Sequence, residues 1–269
     1  MMARSTKPVA FILPRRSAKR QALSSRVLTP DGWSTIGKIR IGDFVIGSDG
    51  KPTMVTGLSE TTEMPLYRLT TRTGRSTLCD AEHLWTVDGK AKDYRRKTLT
   101  TKQISKNLYV LKAPHVYEGR IYKEYTHFIP YVNPICFKRK KLPLDPYLLG
   151  ILLGDGCLVY NTPRFTCDVD DWNHYYRHIF KYDCSEPKQK KDSNAYSVNI
   201  RRIYKQIQKL DLFGTRSNTK FIPKKYLFAS IEQRVSLLQG MMDTDGTICS
   251  GTLSYSTISK TMLSLITRA

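Results

Sequence analysis

Two stretches of this chain repeat one pattern 90 residues apart: Leu148-Leu149-Gly150-Ile151-Leu152-Leu153-Gly154-Asp155-Gly156 and Leu238-Gln239-Gly240-Met241-Met242-Asp243-Thr244-Asp245-Gly246. Each reads as a short apolar helix with a glycine in its middle and an Asp-Gly pair at its end. Gly150 and Gly154 are four apart, as are Gly240 and Thr244. Residues at that spacing share a helix face, so each helix carries a groove of small residues into which a second backbone can pack closely. Groove on groove brings Asp155 and Asp245 side by side. The C-terminal end of a helix is partially negative, so two carboxylates there repel the helix ends and each other. A cation between them removes the conflict. Oxygen donors favour a hard ion, Mg²⁺ or a similar divalent cation, with Gly154 and Thr244 at the same helix ends as further candidate ligands. Such a pair facing a phosphate chain is suited to phosphodiester hydrolysis. The plainer alternative is a pair of core helices that end in Asp-Gly turns.

Charge points to the same class of ligand. Lys plus Arg number 44 against 23 Asp plus Glu, a net charge of +21 over 269 residues. An excess of that size favours a polyanion, because phosphate contacts release counterions. The length suits about two domains. The apolar run around the first motif falls far short of the ~20 residues needed to span a bilayer, and no membrane partner is expected. The six cysteines, Cys79, Cys136, Cys157, Cys167, Cys184 and Cys249, include no CxxC pair. No secretory signal is seen. Free thiols in a reducing cytoplasm, prokaryotic or phage-encoded, are expected. Residues 1–30 hold seven basic residues and no acid, which reads as a flexible basic arm or, alternatively, an organellar transit peptide.

Along the chain, residues 1–23 read as the arm. From Val27 to about Val87 the signals are all β, with turns at Pro30-Asp31-Gly32, Ser48-Asp49-Gly50 and Thr73-Gly74. Residues 88–141 carry 14 Lys/Arg against 4 Asp/Glu. Tyr94, Tyr109, Tyr117, Tyr122, Tyr125 and Tyr131 interleave with these charges, a mix that grips phosphates and stacks on bases or simply packs. The run Lys138-Arg139-Lys140-Lys141, before the first motif, is a DNA-binding candidate or a solvated linker. Helices are expected over 170–182 and 201–210, and strands over 162–169 and 195–201, an α/β unit with antiparallel pairing. After Asp245, one strand (252–258) and one helix start (260–267) are expected.

The two motif segments resemble the helix motif of the LAGLIDADG (DOD-type) homing endonucleases. Asp155 and Asp245 fall on its metal-binding acidic position. The first copy has Leu153 where the motif's earlier acid stands; the second keeps it as Asp243. Lys220-Phe221-Ile222-Pro223 resembles the stretch before the family's second helix and puts Lys220 on the active-site lysine, which stabilises developing charge or helps activate water. The resemblance implies an αββαββα unit over 142–236 and the start of a second over 237–269, with Gly150 and Gly240 as helix-packing positions. With the chain ending 24 residues after Asp245, the second repeat is expected to be incomplete.

The β region resembles an intein, a Hint-type protein-splicing domain. Val27 to Trp33 and Ile41 to Gly47 match its opening, and Thr77 to Trp85 match the block that ends in the essential histidine, here His83. The Hint-like part covers residues 24–90 and a basic linker or DNA-recognition region 91–141, and the resemblance makes residues 1–23 an extein remnant as an alternative to a flexible arm. The family needs a nucleophile at its first residue and a histidine that polarises or protonates the scissile amide. Ser24 and Ser25 are the nucleophile candidates; alternatively Ser25 fills a later threonine position, leaving Arg20 or Ala22 at the start. Together the resemblances imply a multi-domain protein: an all-β Hint-like domain followed by an α+β endonuclease domain. It would splice itself from a host extein in cis and, as a monomer when complete, cleave double-stranded DNA with Mg²⁺. A binding module without cleavage, maturase-like or decayed, is the alternative.

Overall fold

The computed structural model describes residues 8–11, 19–58, 63–89, 96–110, 116–117, 120–121 and 124–266. The chain divides into two compact units, Met1–Cys136 and Phe137–Ala269. Sheets dominate, with a few short helices. Tyr94 and Tyr122, two of the interleaved tyrosines, lie outside the described residues.

The first unit is built of antiparallel hairpins. Arg26–Thr29 pairs with Gly32–Thr35, and Phe44–Ile46 with Pro52–Met54. Thr29 and Gly32 bracket the first turn, where Thr29 Oγ1 donates to the Gly32 carbonyl at 2.8 Å and Gly32 adopts φ 126°; glycine tolerates that conformation without steric cost. A small core of Ile39, Val45 and Val55 sits under these hairpins, with Val27 and Leu58 packed against it. A four-stranded sheet runs in the order Pro8–Phe11, Lys19–Ala22, Ser76–Cys79, Tyr67–Thr70. Two of those strands fall in the stretch read from sequence as a flexible arm. Arm-like composition did not reveal that a partner 58 residues further along would recruit it: Gln21 pairs with Cys79. The helix Thr101–Lys106 was also not anticipated; a capping box between Thr100 and Gln103 starts it.

The second unit begins with the helix Pro146–Leu153. Asp145 caps it by accepting from the amides of Tyr147 and Leu148, and Pro146 occupies its first turn. Every residue from Tyr147 to Leu153 is buried, each large aliphatic one contributing about 2 kcal/mol of apolar burial. A four-stranded antiparallel sheet follows in the order Gly156–Cys157, Arg164–Asp168, Ala195–Asn199, Lys188–Gln189. Phe165 and Cys167 face the core, while Arg164 and Asp168 are exposed. The helices Trp172–Ile179 and Tyr204–Lys209 lie within the expected helical stretches. The long helix Ile231–Asp245 starts at a capping box between Ser230 and Gln233. Beyond it, the strands Gly246–Cys249 and Thr252–Tyr255 form a hairpin, and the helix Lys260–Ile266 follows. The first of those two strands was not foreseen. Element order in this unit is therefore αββαββ, two short helices, then αββα.

Candidate functional site

The two motif helices cross where their glycines lie. A Cβ on Gly150 would stand 2.4 Å from the Leu237 carbonyl oxygen, and one on Gly240 would stand 2.2 Å from that of Tyr147. Both obstacles are backbone, so no side chain can rotate aside. A Cβ on Gly154 would run into the Thr244 hydroxyl at 1.9 Å. The small-residue grooves read from the i, i+4 spacing are thus the contact surfaces of the crossing, and the helix ends that carry Asp155 and Asp245 come together.

Asp155 is exposed at its surface edge, yet its carboxyl is pushed above the usual range. Partial burial is the larger cause and the Asp245 charge the next; Lys220 and Lys190 pull the other way. Like charges in shared, poorly solvated space produce that direction. Asp245 is half-buried and accepts from the Tyr255 hydroxyl at 3.4 Å. Lys220 is 2% exposed and donates from Nζ to the Gly154 carbonyl at 2.7 Å. Burial lowers its ammonium to about 8, opposed by Asp245 and Asp155. Ser259 fixes the backbone beside it by donating to the Lys220 carbonyl at 2.6 Å. Thr244 turns its hydroxyl back and donates to the Met241 carbonyl at 2.7 Å.

Asp155, Asp245, Lys220, Gly154 and Thr244 are therefore brought together, with Gly150 and Gly240 making the approach possible. Lys190, absent from the sequence reading, joins them: its charge acts on Asp155, and its Nζ donates to Thr166 Oγ1 at 3.1 Å. Nothing in the local sequence marks it, because it reaches the site through sheet pairing. Asp243 turns away from Asp155 to Tyr147 and His174. Among the described residues no group of three or more His, Cys, Asp or Glu side chains is placed to hold a metal. The basic run splits in role. Lys138, Arg139 and Lys141 are exposed. Lys140 is tied down: its amide donates to Gln233 Oε1 at 3.0 Å, and its carbonyl accepts from Gln233 Nε2 at 2.7 Å.

In the first unit, His83 is 4% exposed and packs edge-on against Trp85, with ring centroids 4.8 Å apart. Its carbonyl accepts from the Thr101 amide at 3.0 Å, and Thr101 also takes the indole N–H of Trp85 at 3.0 Å. One side chain that meets the His83 imidazole is Gln21, whose Nε2 lies 3.3 Å from His83 Nε2. Ala22, next in the chain, is 1% exposed. The serines lie further along the turn: Ser24 is exposed, and Ser25 directs its hydroxyl to the Leu78 carbonyl at 3.5 Å. Of the open alternatives at the start of this region, Ala22 is the one that directly follows a residue whose side chain meets His83. The sequence signal missed was the strand pairing of Gln21 with Cys79.

No protein-family model matches the chain. In sequence it is similar to the replicative DNA helicase DnaB of Mycobacterium intracellulare, 25% identical over 247 residues that take in 87% of this chain and 38% of the helicase. The chain thus spans well under half the length of that relative. Solved structures similar to it are intein splicing domains. The Msm DnaB1 intein splicing domain bound with zinc matches at 28% identity over 30% of this chain and 68% of that one, with a TM-score of 0.25. The gp41-1 intein matches at 19% identity over 47% and 83%, with a TM-score of 0.27. Among the described residues no helix is long and apolar enough to cross a membrane.

Proposed function

We propose that the chain is an intein-type element in which a Hint-like splicing unit carries a divalent-metal DNA endonuclease of the LAGLIDADG kind. One observation carries the nuclease part: the Asp155 carboxyl is raised beside Asp245 at a glycine-mediated helix crossing, with Lys220 buried against the Gly154 carbonyl. Two carboxylates that repel each other, with the Gly154 carbonyl at the same helix ends, fit a hard cation such as Mg²⁺. Gly154 can serve both partners, since a carbonyl has two lone pairs and Lys220 uses one. When bound, the ion polarises a phosphoryl oxygen and eases the ionisation of a water. Asp155 and Asp245 hold it at the helix ends. Lys220, held near about 8, is divided between two forms at mildly basic pH. Charged, it stabilises the developing negative phosphate; neutral, it accepts a proton from water. Duplex DNA lies across the outer sheet face, where Arg164, Lys188 and Lys190 are exposed and meet phosphates.

For the splicing unit, His83 beside Gln21 suits protonation of the amide nitrogen that leaves when the Gln21–Ala22 bond breaks. The methyl of Ala22 cannot attack, so an added thiol or hydroxylamine takes up the released acyl group. The sequence likeness to a DnaB helicase supports a replicative helicase as the host polypeptide in cis.

The test of the nuclease reading uses the full chain, Mg²⁺ and supercoiled plasmid carrying the uninterrupted helicase coding sequence. The expected result is linearised plasmid, with Asp155→Asn reducing the rate by about 100-fold or more while DNA affinity stays at the parental level. Cleavage by Asp155→Asn at the parental rate contradicts the assignment. Salt-sensitive binding with no cleavage in the parental chain leaves only the binding module.

A further inference from the structure

Asp243 stands two residues before Asp245, near the negative end of its helix, where a carboxylate is unfavourable. The equivalent place in the first copy is Leu153, 2% exposed in the core. Asp243 is instead held by two other helices. Its Oδ2 accepts from the Tyr147 hydroxyl at 2.5 Å and lies 2.9 Å from His174 Nε2. Its backbone carbonyl, one of the last four that a helix leaves without an internal partner, accepts from the Tyr175 hydroxyl. Tyr147 belongs to the first motif helix; His174 and Tyr175 belong to Trp172–Ile179. The Tyr147 ring is seated on His178, centroids 4.1 Å apart and tilted by 32°.

We infer that Tyr147, His174 and Asp243 form a clamp that fixes the end of the second motif helix and so aims Asp245 at the cation shared with Asp155. The inference rests on the metal reading above. The two helix ends are thereby secured differently. Lys220 fixes the first by bonding to the Gly154 carbonyl; the clamp fixes the second. The clamp residues position Asp245 and do not touch the ion.

Charge alone and positioning predict different outcomes when His174 is removed. His174→Ala takes away no negative charge and no proposed cation ligand, so charge alone leaves cation affinity unreduced. A clamp that has lost one of its members lowers it. The experiment is titration of the full chain with Tb³⁺, read as luminescence sensitised by Tyr255, whose hydroxyl lies 3.4 Å from Asp245. Near-ultraviolet circular dichroism shows that each variant is folded. His174→Ala and Tyr147→Phe are expected to weaken Tb³⁺ binding at least about tenfold, what one hydrogen bond to a charged group is worth. His174→Gln, which keeps an N–H donor, is expected to recover most of that loss. Parental or tighter binding in both His174→Ala and Tyr147→Phe overturns the clamp and leaves the metal reading standing. A parental chain with no Tb³⁺ signal that Asp155→Asn abolishes overturns the metal reading and the clamp with it.

Discussion

The carboxylate site and the His83 site were assembled by different means, and the contrast explains how far each could be read from sequence. At the carboxylate site, reactive groups sit at the ends of two helices whose crossing is set by glycines within the same short motifs. Gly150, Gly240 and the Gly154–Thr244 contact decide the approach, and Asp155 and Asp245 follow one residue later in the chain. At the His83 site, the groups meet by strand pairing between segments 62 residues apart, Gln21 and His83. Helix periodicity is local and survives in the sequence; strand partnership is not, and Gln21 meets His83 through partners that no local pattern marks.

Breaking the helix crossing gives the largest effect. Gly150→Leu sets a side chain against the Leu237 carbonyl, which a Cβ alone approaches to 2.4 Å, so about 3 kcal/mol or more of stability is lost. Denaturant unfolding of the full chain measures it; an unchanged midpoint means the helices do not pack through their glycines. Lys220→Met sharpens the electrostatic half of the comparison. Lys220 titrates at about 8 in the fold, whereas an unfolded lysine titrates near ~10.4. Between those values the unfolded chain holds more protons, so this group makes the fold more stable as pH rises. Relative to Lys220→Met, the parental chain should gain up to about 3 kcal/mol from neutral pH to pH above ~10.4. A difference that does not change with pH would show that the ammonium is not buried.

On the other side of the comparison, His83→Ala is expected to slow hydroxylamine-induced cleavage at Gln21–Ala22 by about 100-fold, the low end for losing a general acid. Mass spectrometry of the fragments reads both rate and position. A product cut at Ser24 instead would return the serines to the site. Ser24→Ala has the smallest expected effect. Its side chain is exposed, so stability should move within about 0.5 kcal/mol and the cleavage position not at all.

The alternating residues of the β region, the helices around 172–179 and 204–209 and the two motif helices were legible because each carries its own period. Three features were not. The strands Pro8–Phe11 and Lys19–Ala22 lie in a stretch whose basic composition reads as an arm; they pair because Ser76–Cys79 offers an edge. Lys190 reaches Asp155 only through the register that sets Lys188 beside Ser197 and Ser197 beside Thr166. Asp243 reads from sequence as the motif's earlier acid, and its link to Tyr147 and His174 crosses 96 and 69 residues of sequence.

The central claim is that two copies of one motif share a single charged site. The most direct measurement is the titration of the Asp155 carboxyl by carbon-13 NMR in the parental chain and in Asp245→Asn. Removing the neighbouring charge should lower the Asp155 midpoint, because Asp245 is one of the two causes that hold it up. Superimposable titration curves would contradict the shared site.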